Sequence, residues 1–144
     1  MKLSTRTRYG IRAILELAEN YRRGPLQIKT IAGRQDISVK YLEQLMTMLK
    51  SAGFVRSIRG AKGGYVLAKQ PNQIKLIDVF NCLEGPVITA DCVGNENLCE
   101  RAVDCVTRQL WAEVQNAIEA VLQSKTLQDL IDKTKKQKVQ NYQI

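Results

Sequence analysis

The sequence predicts a mainly α-helical protein with a small β-hairpin wing, arranged as a winged helix-turn-helix followed by a long helix. Three observations indicate this fold class: three successive amphipathic segments, a glycine-rich hairpin directly after them, and one long amphipathic segment near the C-terminus. We expect a winged helix-turn-helix domain over residues 1–84, a cysteine-bearing loop over 85–105, and two C-terminal helices over 106–144. The 144 residues suffice for one compact domain with an appended helix.

The first part of this domain is predicted to contain three helices. Apolar residues recur at three- and four-residue spacing over residues 4–21, 28–35 and 39–52. Ser38 is a good N-cap for the third helix, and Gly53 ends it. A short second helix, a tight turn and a third helix follow one another in the order of a helix-turn-helix.

The hydrophobic pattern changes after the third helix. Residues 54–58 and 65–67 have the composition of β-strands, and the connection over 59–64 contains three glycines. We therefore expect a β-hairpin with a glycine-rich tip, which is the wing of a winged helix-turn-helix.

The C-terminal part returns to helical patterns. Residues 76–83 predict a short helix, and 106–124 predict a long helix with a wide apolar face. Thr126 and Asp129 have capping-box-like spacing at the start of a last helix. Its basic end, 133–138, is expected to fray.

The charge of the chain is distributed unevenly. Residues 1–70 contain 14 lysines and arginines against 4 acidic residues, a net charge of +10, whereas residues 71–144 have a net charge of −2. A basic half favours a polyanionic partner such as nucleic acid, although an acidic membrane surface or simple solubility would also explain it. The sequence has no signal peptide and no apolar run long enough to span a bilayer, so we expect a cytoplasmic protein without a membrane partner.

The third helix is the candidate recognition helix. In a helix-turn-helix the second helix of the motif enters the major groove with its first exposed side chains towards the base edges. Glutamate accepts a hydrogen bond from cytosine, and glutamine pairs with adenine. The alternative is a row of solvated surface residues. The candidate contacts are Lys40, Tyr41, Glu43 and Gln44.

The hairpin tip carries Arg59 and Lys62 among its glycines. An arginine on such a tip is suited to a narrow, A·T-rich minor groove, where the negative potential is enhanced. An ordinary soluble loop is the alternative. Arg6, Arg8 and Arg12 of the first helix are further candidates for phosphate contacts, or for solvated positions.

Three cysteines, Cys92, Cys99 and Cys105, lie close together in a chain without histidine. Three soft thiolates favour an iron–sulfur cluster, Zn²⁺ or Cu(I) over hard cations, and free thiols in a mobile loop are the alternative. An iron–sulfur cluster needs a fourth ligand. A donor from a second subunit or an external molecule would also serve. The nearby carboxylates are Asp91, Glu96, Glu100 and Asp104.

The fourth cysteine, Cys82, lies on the predicted helix over 76–83, where a small buried side chain is the ordinary interpretation. The absence of a histidine base and of a CxxC pair argues against an enzyme. Two other classes stay open: a regulator with a thiol–disulfide or zinc switch, and a helical partner-binding protein that ignores DNA.

Several motifs resemble the IscR-type winged-helix regulators, a family that also includes the NsrR and CymR types. The resemblance extends from residue 1 to about residue 133. The motifs are Arg8-Tyr9, ISVKYLEQL over 37–45, VRSIRG over 55–60, GGY over 63–65, and Leu110-Trp111.

The resemblance implies a transcriptional regulator that binds DNA as a homodimer through the helix over 106–124, with a pseudo-palindromic operator. It also implies an iron–sulfur cluster on Cys92, Cys99 and Cys105, and we expect 2Fe–2S rather than 4Fe–4S. The recognition helix is most similar to the IscR type, which implies control of cluster-assembly genes. NsrR-like or CymR-like control of the nitric oxide response or sulfur metabolism is the alternative.

Two positions depart from these subtypes. IscR-like proteins usually place a histidine three residues after the last cysteine, where this chain has Arg108. NsrR-like proteins use an acidic residue on the first helix, where this chain has Arg8. Neither arginine can act as a ligand, so the fourth donor stays open.

Overall fold

The computed structural model describes residues 2–142, and its elements follow the predicted order of three helices, a hairpin and further helices. Single-turn 3₁₀ helices lie at Pro71–Gln73 and Glu96–Leu98. The elements are α1 (Thr5–Glu19), α2 (Ile28–Gln35), α3 (Val39–Ser51), β1 (Val55–Ile58), β2 (Gly64–Leu67), α4 (Leu76–Leu83), α5 (Asp91–Gly94), α6 (Val106–Gln123) and α7 (Leu127–Tyr142).

The predicted helix-turn-helix is confirmed. Asp36 ends α2 in the left-handed conformation (φ 54°), which asparagine and aspartate tolerate better than most residues. The hydroxyl of Ser38 then accepts a hydrogen bond from the amide of Tyr41 at 3.0 Å and caps α3. The three residues between the helices therefore turn the chain sharply and bring α3 against α2.

One hydrophobic core joins α1, α2, α3, α4 and α7. The predicted apolar stripes of the first three helices point into it, as do two side chains of α7 that lie far away in the sequence. Its most deeply buried members are Ile14, Leu17, Ile31, Leu42, Leu45, Met46, Leu49, Val55, Ile74, Val79, Leu83 and Leu127.

The start of α7 is tied to the start of α4 by the backbone. The amide of Leu76 donates to the carbonyl of Lys125 at 2.9 Å, and the amide of Leu127 donates to that of Ile74 at 3.0 Å. The predicted capping pair at Thr126 forms, with its amide 2.8 Å from the Asp129 carboxylate. Contrary to the expected fraying over 133–138, α7 continues as a helix to Tyr142, consistent with the good helix propensity of lysine and glutamine.

The long helix α6 has no buried residue over its 18 positions, in contrast to α1, α2, α3, α4 and α7. It packs against α4 and α5 along one side. Its other side exposes Leu110 (49%), Trp111 (43%), Val114 (38%) and Val121 (56%). Within residues 2–142, nothing covers this apolar face.

Candidate nucleic-acid interface and cysteine segment

The exposed face of α3 carries three of the four predicted base-contacting residues. Lys40, Glu43 and Gln44 are exposed, whereas Leu42 and Leu45 on the opposite face are fully buried. The helix is therefore held by its apolar face and presents its polar face outwards, as a recognition helix must.

Tyr41, the fourth predicted contact, lies in a different environment. Its half-buried ring packs edge-to-face against the ring of Tyr9, with 6.4 Å between the ring centroids. The guanidinium of Arg12 lies over the ring of Tyr9, 5.2 Å from its centroid. Tyr41 thus joins α3 to α1, and a contact of its phenol group with DNA would be additional to this packing role.

The wing is an antiparallel hairpin in which Val55 pairs with Leu67 and Ile58 pairs with Gly64. Arg59 and Lys62 are both exposed at its tip. Gly63 is required there, because a Cβ atom would collide with the backbone carbonyl oxygen of Ile58. The tip is consequently narrow and carries two cations.

Two contacts that the sequence did not reveal fix the wing relative to the helices. Leu26, just before α2, forms an isolated β-bridge with Tyr65, with N–H···O distances of 3.0 and 2.8 Å. The ammonium of Lys50, near the end of α3, donates to the hydroxyl of Ser57 at 2.8 Å. The wing is therefore joined to the helix-turn-helix at both ends of the motif, just before α2 and near the end of α3.

The arginines of α1 have different surroundings. The Nε atom of Arg6 donates to the carbonyl of Leu83 at 2.7 Å, and Arg12 stacks over Tyr9. Arg8 is exposed. Of these three candidates for phosphate contacts, Arg6 and Arg12 thus make contacts within the chain itself.

The three candidate ligand cysteines are spread over the segment before α6. Cys92 is half-buried in α5, Cys99 is exposed after the 3₁₀ turn, and Cys105 is half-buried at the N-cap of α6. In the described part of the chain, no three cysteine or acidic side chains approach closely enough to hold a metal ion. The donor chemistry fits a thiolate-ligated cluster, whereas gathering the three thiols requires the segment to move.

The thiols of Cys105 and Cys82 have different electrostatic surroundings. A hydrogen bond with the hydroxyl of Thr107, 3.1 Å away, and a smaller effect of the Arg108 amide lower the pKa of Cys105. Burial raises the pKa of Cys82, whose sulfur lies 3.5 Å from the carbonyl of Met48. The thiolate form needed in a ligand is therefore favoured at Cys105 and disfavoured at Cys82.

Residues 90–104, which carry Cys92 and Cys99 and end directly before Cys105, are called the cysteine segment below. At its base, the hydroxyl of Thr89 donates to the carbonyl of Trp111 at 2.7 Å, and the amide of Thr89 donates to Gln115 Oε1 at 3.2 Å. Arg108 of α6 donates to the carbonyl of Cys92. The sequence marked Arg108 only as a departure from a motif and did not reveal this contact.

Comparison with known proteins gives concordant results. CymR, an HTH-type transcriptional regulator of Bacillus subtilis (strain 168), is 41% identical over 134 residues, which cover 93% of this chain and 92% of that protein. The solved structure of CymR, the global cysteine regulator of B. subtilis, superposes with a TM-score of 0.79 over 92% of this chain and 97% of that one at 41% identity. That of T. potens IscR superposes with a TM-score of 0.77 at 40% identity, over 93% of this chain and 88% of that one.

No helix within residues 2–142 is both long enough and apolar enough to cross a membrane. The Rrf2 family, described as iron-dependent transcriptional regulators, matches residues 3–133, which include the helix-turn-helix, the wing, the cysteine segment and α6. The chain belongs to the Rrf2 family of transcriptional regulators.

Proposed function

We propose that this transcriptional regulator reads its operator with α3 in the major groove and the wing in the adjacent minor groove. The observation that carries this proposal is the exposed polar start of α3, with Lys40, Glu43 and Gln44, beside a hairpin tip that carries Arg59 and Lys62. Base edges would be read by α3, and Arg59 would enter a narrow minor groove. The net charge of +10 over residues 1–70 supports binding to the phosphate backbone.

The DNA-binding unit of this proposal is a homodimer formed through α6. The support is the exposed apolar face of this 18-residue helix, which includes Leu110, Trp111 and Val114. An isologous contact with a second copy would cover the face on both subunits at once. In such a dimer the two winged helix-turn-helix domains, here called the reading heads, are related by a twofold axis. This symmetry matches a pseudo-palindromic operator.

The proposed input is an iron–sulfur cluster held by Cys92, Cys99 and Cys105, of the 2Fe–2S type in preference to 4Fe–4S. When bound, the cluster supplies sensitivity to iron, sulfide and oxidants. The chain supplies three thiolates and a segment that leads directly into α6. A change in this segment would alter the orientation of α6 and hence the spacing of the two reading heads, which is the coupling we propose between cluster and operator.

We propose IscR-like control of cluster-assembly genes as the regulatory role. A CymR-like role, in which the thiols respond to sulfur metabolism without a cluster, is the second candidate. It is favoured by one observation, that the three thiols lie apart.

The decisive experiment combines metal analysis with operator binding. Protein purified without oxygen is expected to be brown and to contain iron and sulfide, and its operator affinity at one salt concentration should differ from that of the cluster-free form. Cys99→Ser should abolish the iron content, while Cys82→Ser, a matched control at a cysteine packed against the core, should retain it. Replacing Asp91, Glu96, Glu100 and Asp104 in turn tests each carboxylate as the fourth donor.

The outcomes separate the two candidates. Colourless protein with free thiols, or with one zinc per chain, would contradict the iron–sulfur proposal and favour a thiol or zinc switch. Equal affinity and sequence preference of the cluster-loaded and cluster-free forms would contradict the coupling to DNA binding.

A further inference from the structure

Arg108 lies in the first turn of α6 and extends back to the cysteine segment. Its Nε atom donates to the carbonyl oxygen of Cys92 at 2.9 Å, and its Nη2 atom lies 3.3 Å from Glu96 Oε1. The arginine side chain is only 21% exposed, whereas that of Glu96 is 70% exposed. Because water screens the exposed ion pair, the bond to Cys92 is the stronger of the two.

These two contacts are important for holding the cysteine segment in position. Among the hydrogen bonds of residues 2–142, they alone join the segment to another part of the chain. The other hydrogen bonds of the segment are local, such as Asn95 to Asp91 at 3.0 Å and Ala102 to Cys99 at 3.1 Å. Ala102, 4% exposed, anchors the far end by packing. The hydrogen bonds that join the segment to the rest of the described chain are therefore all made by one side chain, that of Arg108.

The same contacts oppose the gathering of the three thiols. Arg108 holds the backbone of Cys92 itself, and Cys92 does not share a metal-binding group with Cys99 and Cys105 in this arrangement. Gathering the sulfur atoms of Cys92, Cys99 and Cys105 therefore requires the cysteine segment to move relative to the first turn of α6. The segment that must move is the one that Arg108 holds through the Cys92 carbonyl.

We propose that Arg108 is a positioning residue that straps the cysteine segment onto α6 in the cluster-free protein, and that cluster uptake requires this strap to open. The second half of this inference rests on the proposed function. The strap favours the cluster-free arrangement, so Arg108 shifts the balance between the two states and makes the cluster easier to lose.

The chemistry of arginine suits this role. Its guanidinium carries donors in a planar fork, so one side chain can serve the Cys92 carbonyl and the Glu96 carboxylate together. The guanidinium offers no lone pair to a metal. Arg108 can therefore hold the segment without competing for a place in the cluster.

The first test measures amide hydrogen exchange in the cluster-free, reduced protein. Arg108→Gln should speed the exchange of amides in residues 91–98 by about tenfold, since hydrogen bonds to charged groups are the stronger ones in proteins. Arg101→Gln is the matched control, because it removes one positive charge from an exposed position in the same segment. Glu96→Gln should give a smaller effect than Arg108→Gln.

The second test measures how quickly a chelator removes iron from anaerobically reconstituted protein. Arg108→Gln should lose iron several-fold more slowly than wild type, and Arg101→Gln should not. Unchanged exchange in Arg108→Gln, or an equal change in Arg101→Gln, overturns the strap. Faster or unchanged iron loss in Arg108→Gln overturns the link between the strap and the cluster.

The two tests keep this inference distinct from the proposed function. Hydrogen exchange is measured on cluster-free protein, so it tests whether Arg108 holds the cysteine segment even if the protein binds no cluster. If wild-type protein takes up no iron and sulfide, the proposed cluster function and its link to Arg108 both fail, whereas accelerated exchange in Arg108→Gln would still support the strap.

Discussion

The carboxylate of Glu84 lies 2.6 Å from the hydroxyl of Ser4, so the residue that follows α4 also holds the N-cap of α1. The same oxygen accepts hydrogen bonds from the Ser4 amide at 3.2 Å and from the hydroxyl of Thr7, which is fully buried. Gly85 and Pro86 come next and lead towards the cysteine segment. The first helix is therefore joined directly to the part of the chain that leads into the cysteine segment.

This cluster predicts a specific response to acid. A hydrogen bond from the hydroxyl of Ser4 lowers the pKa of Glu84 below its ordinary value of 4.5, and a hydrogen bond from the hydroxyl of Thr7 is the next largest cause. A carboxyl group whose pKa is lowered in the folded state stabilises the fold at pH values above its pKa in the unfolded state. This stabilisation is lost as the pH falls through its pKa in the folded state. Acidification below pH 4.5 should thus lower the free energy of unfolding more in wild type than in Glu84→Gln.

Urea denaturation of both proteins at a series of pH values from about 6 to about 3 would measure this difference. Glu100→Gln is the control, because Glu100 is exposed and accepts no side-chain hydrogen bond among the described residues. Parallel curves for wild type and Glu84→Gln would contradict the prediction.

Arg59→Ala tests the placement of the wing. If Arg59 enters a narrow minor groove, the loss of operator affinity should be greatest, about tenfold, where the sequence under the wing is A·T-rich. Affinity for duplexes that differ only at the wing position can be measured at a single salt concentration. A uniform loss across all duplexes would instead identify Arg59 as a phosphate contact.

Gly63→Ala tests the shape of the hairpin tip. Its new Cβ would collide with the Ile58 carbonyl oxygen, so the tip must open and DNA binding should fall by about tenfold or more. Gly33→Ala is the matched control, because a Cβ at this helical position meets nothing and should leave binding unchanged. Circular dichroism of both variants would confirm that the helices remain folded. Wild-type affinity in Gly63→Ala would show that the tip shape is unimportant for DNA binding.

Val114→Arg tests the proposed dimer. A charge placed on the apolar face of α6 should give a monomer in sedimentation or light-scattering measurements. Loss of simultaneous binding by two heads should lower affinity for a two-half-site operator by about a hundredfold or more. Glu113→Arg, one residue earlier on a different side of the helix, should stay dimeric. A dimeric Val114→Arg protein would place the dimer contact elsewhere on the surface.

The helices and the wing were predictable because their signals are local. The apolar spacing in α1, α2 and α3 sets which face is buried, and Ser38 and the glycines of the hairpin tip mark the boundaries where backbone groups need special partners. The family resemblance rests on these same motifs, and the match over residues 3–133 confirms it.

The arrangement of the candidate site was less predictable, since it depends on contacts between distant residues. Spacing indicated that Cys92, Cys99 and Cys105 could share a metal, yet the structure keeps them apart. Tyr41 was expected to face DNA, and its half-buried ring also packs against Tyr9, which the sequence did not indicate. Neither arrangement leaves a periodic signal, because each depends on how separate helices approach one another.

The sequence by itself determined the order of helices and wing, the basic character of the first half and the presence of three cysteines before a long amphipathic helix. Only the tertiary structure decided that Leu127 of α7 completes the core, that Glu84 holds the N-cap residue of α1, and that Arg108 holds Cys92. The physical reason is the range of the interactions. Periodicity and capping act within a few turns, whereas these contacts join residues that meet only after the helices have packed.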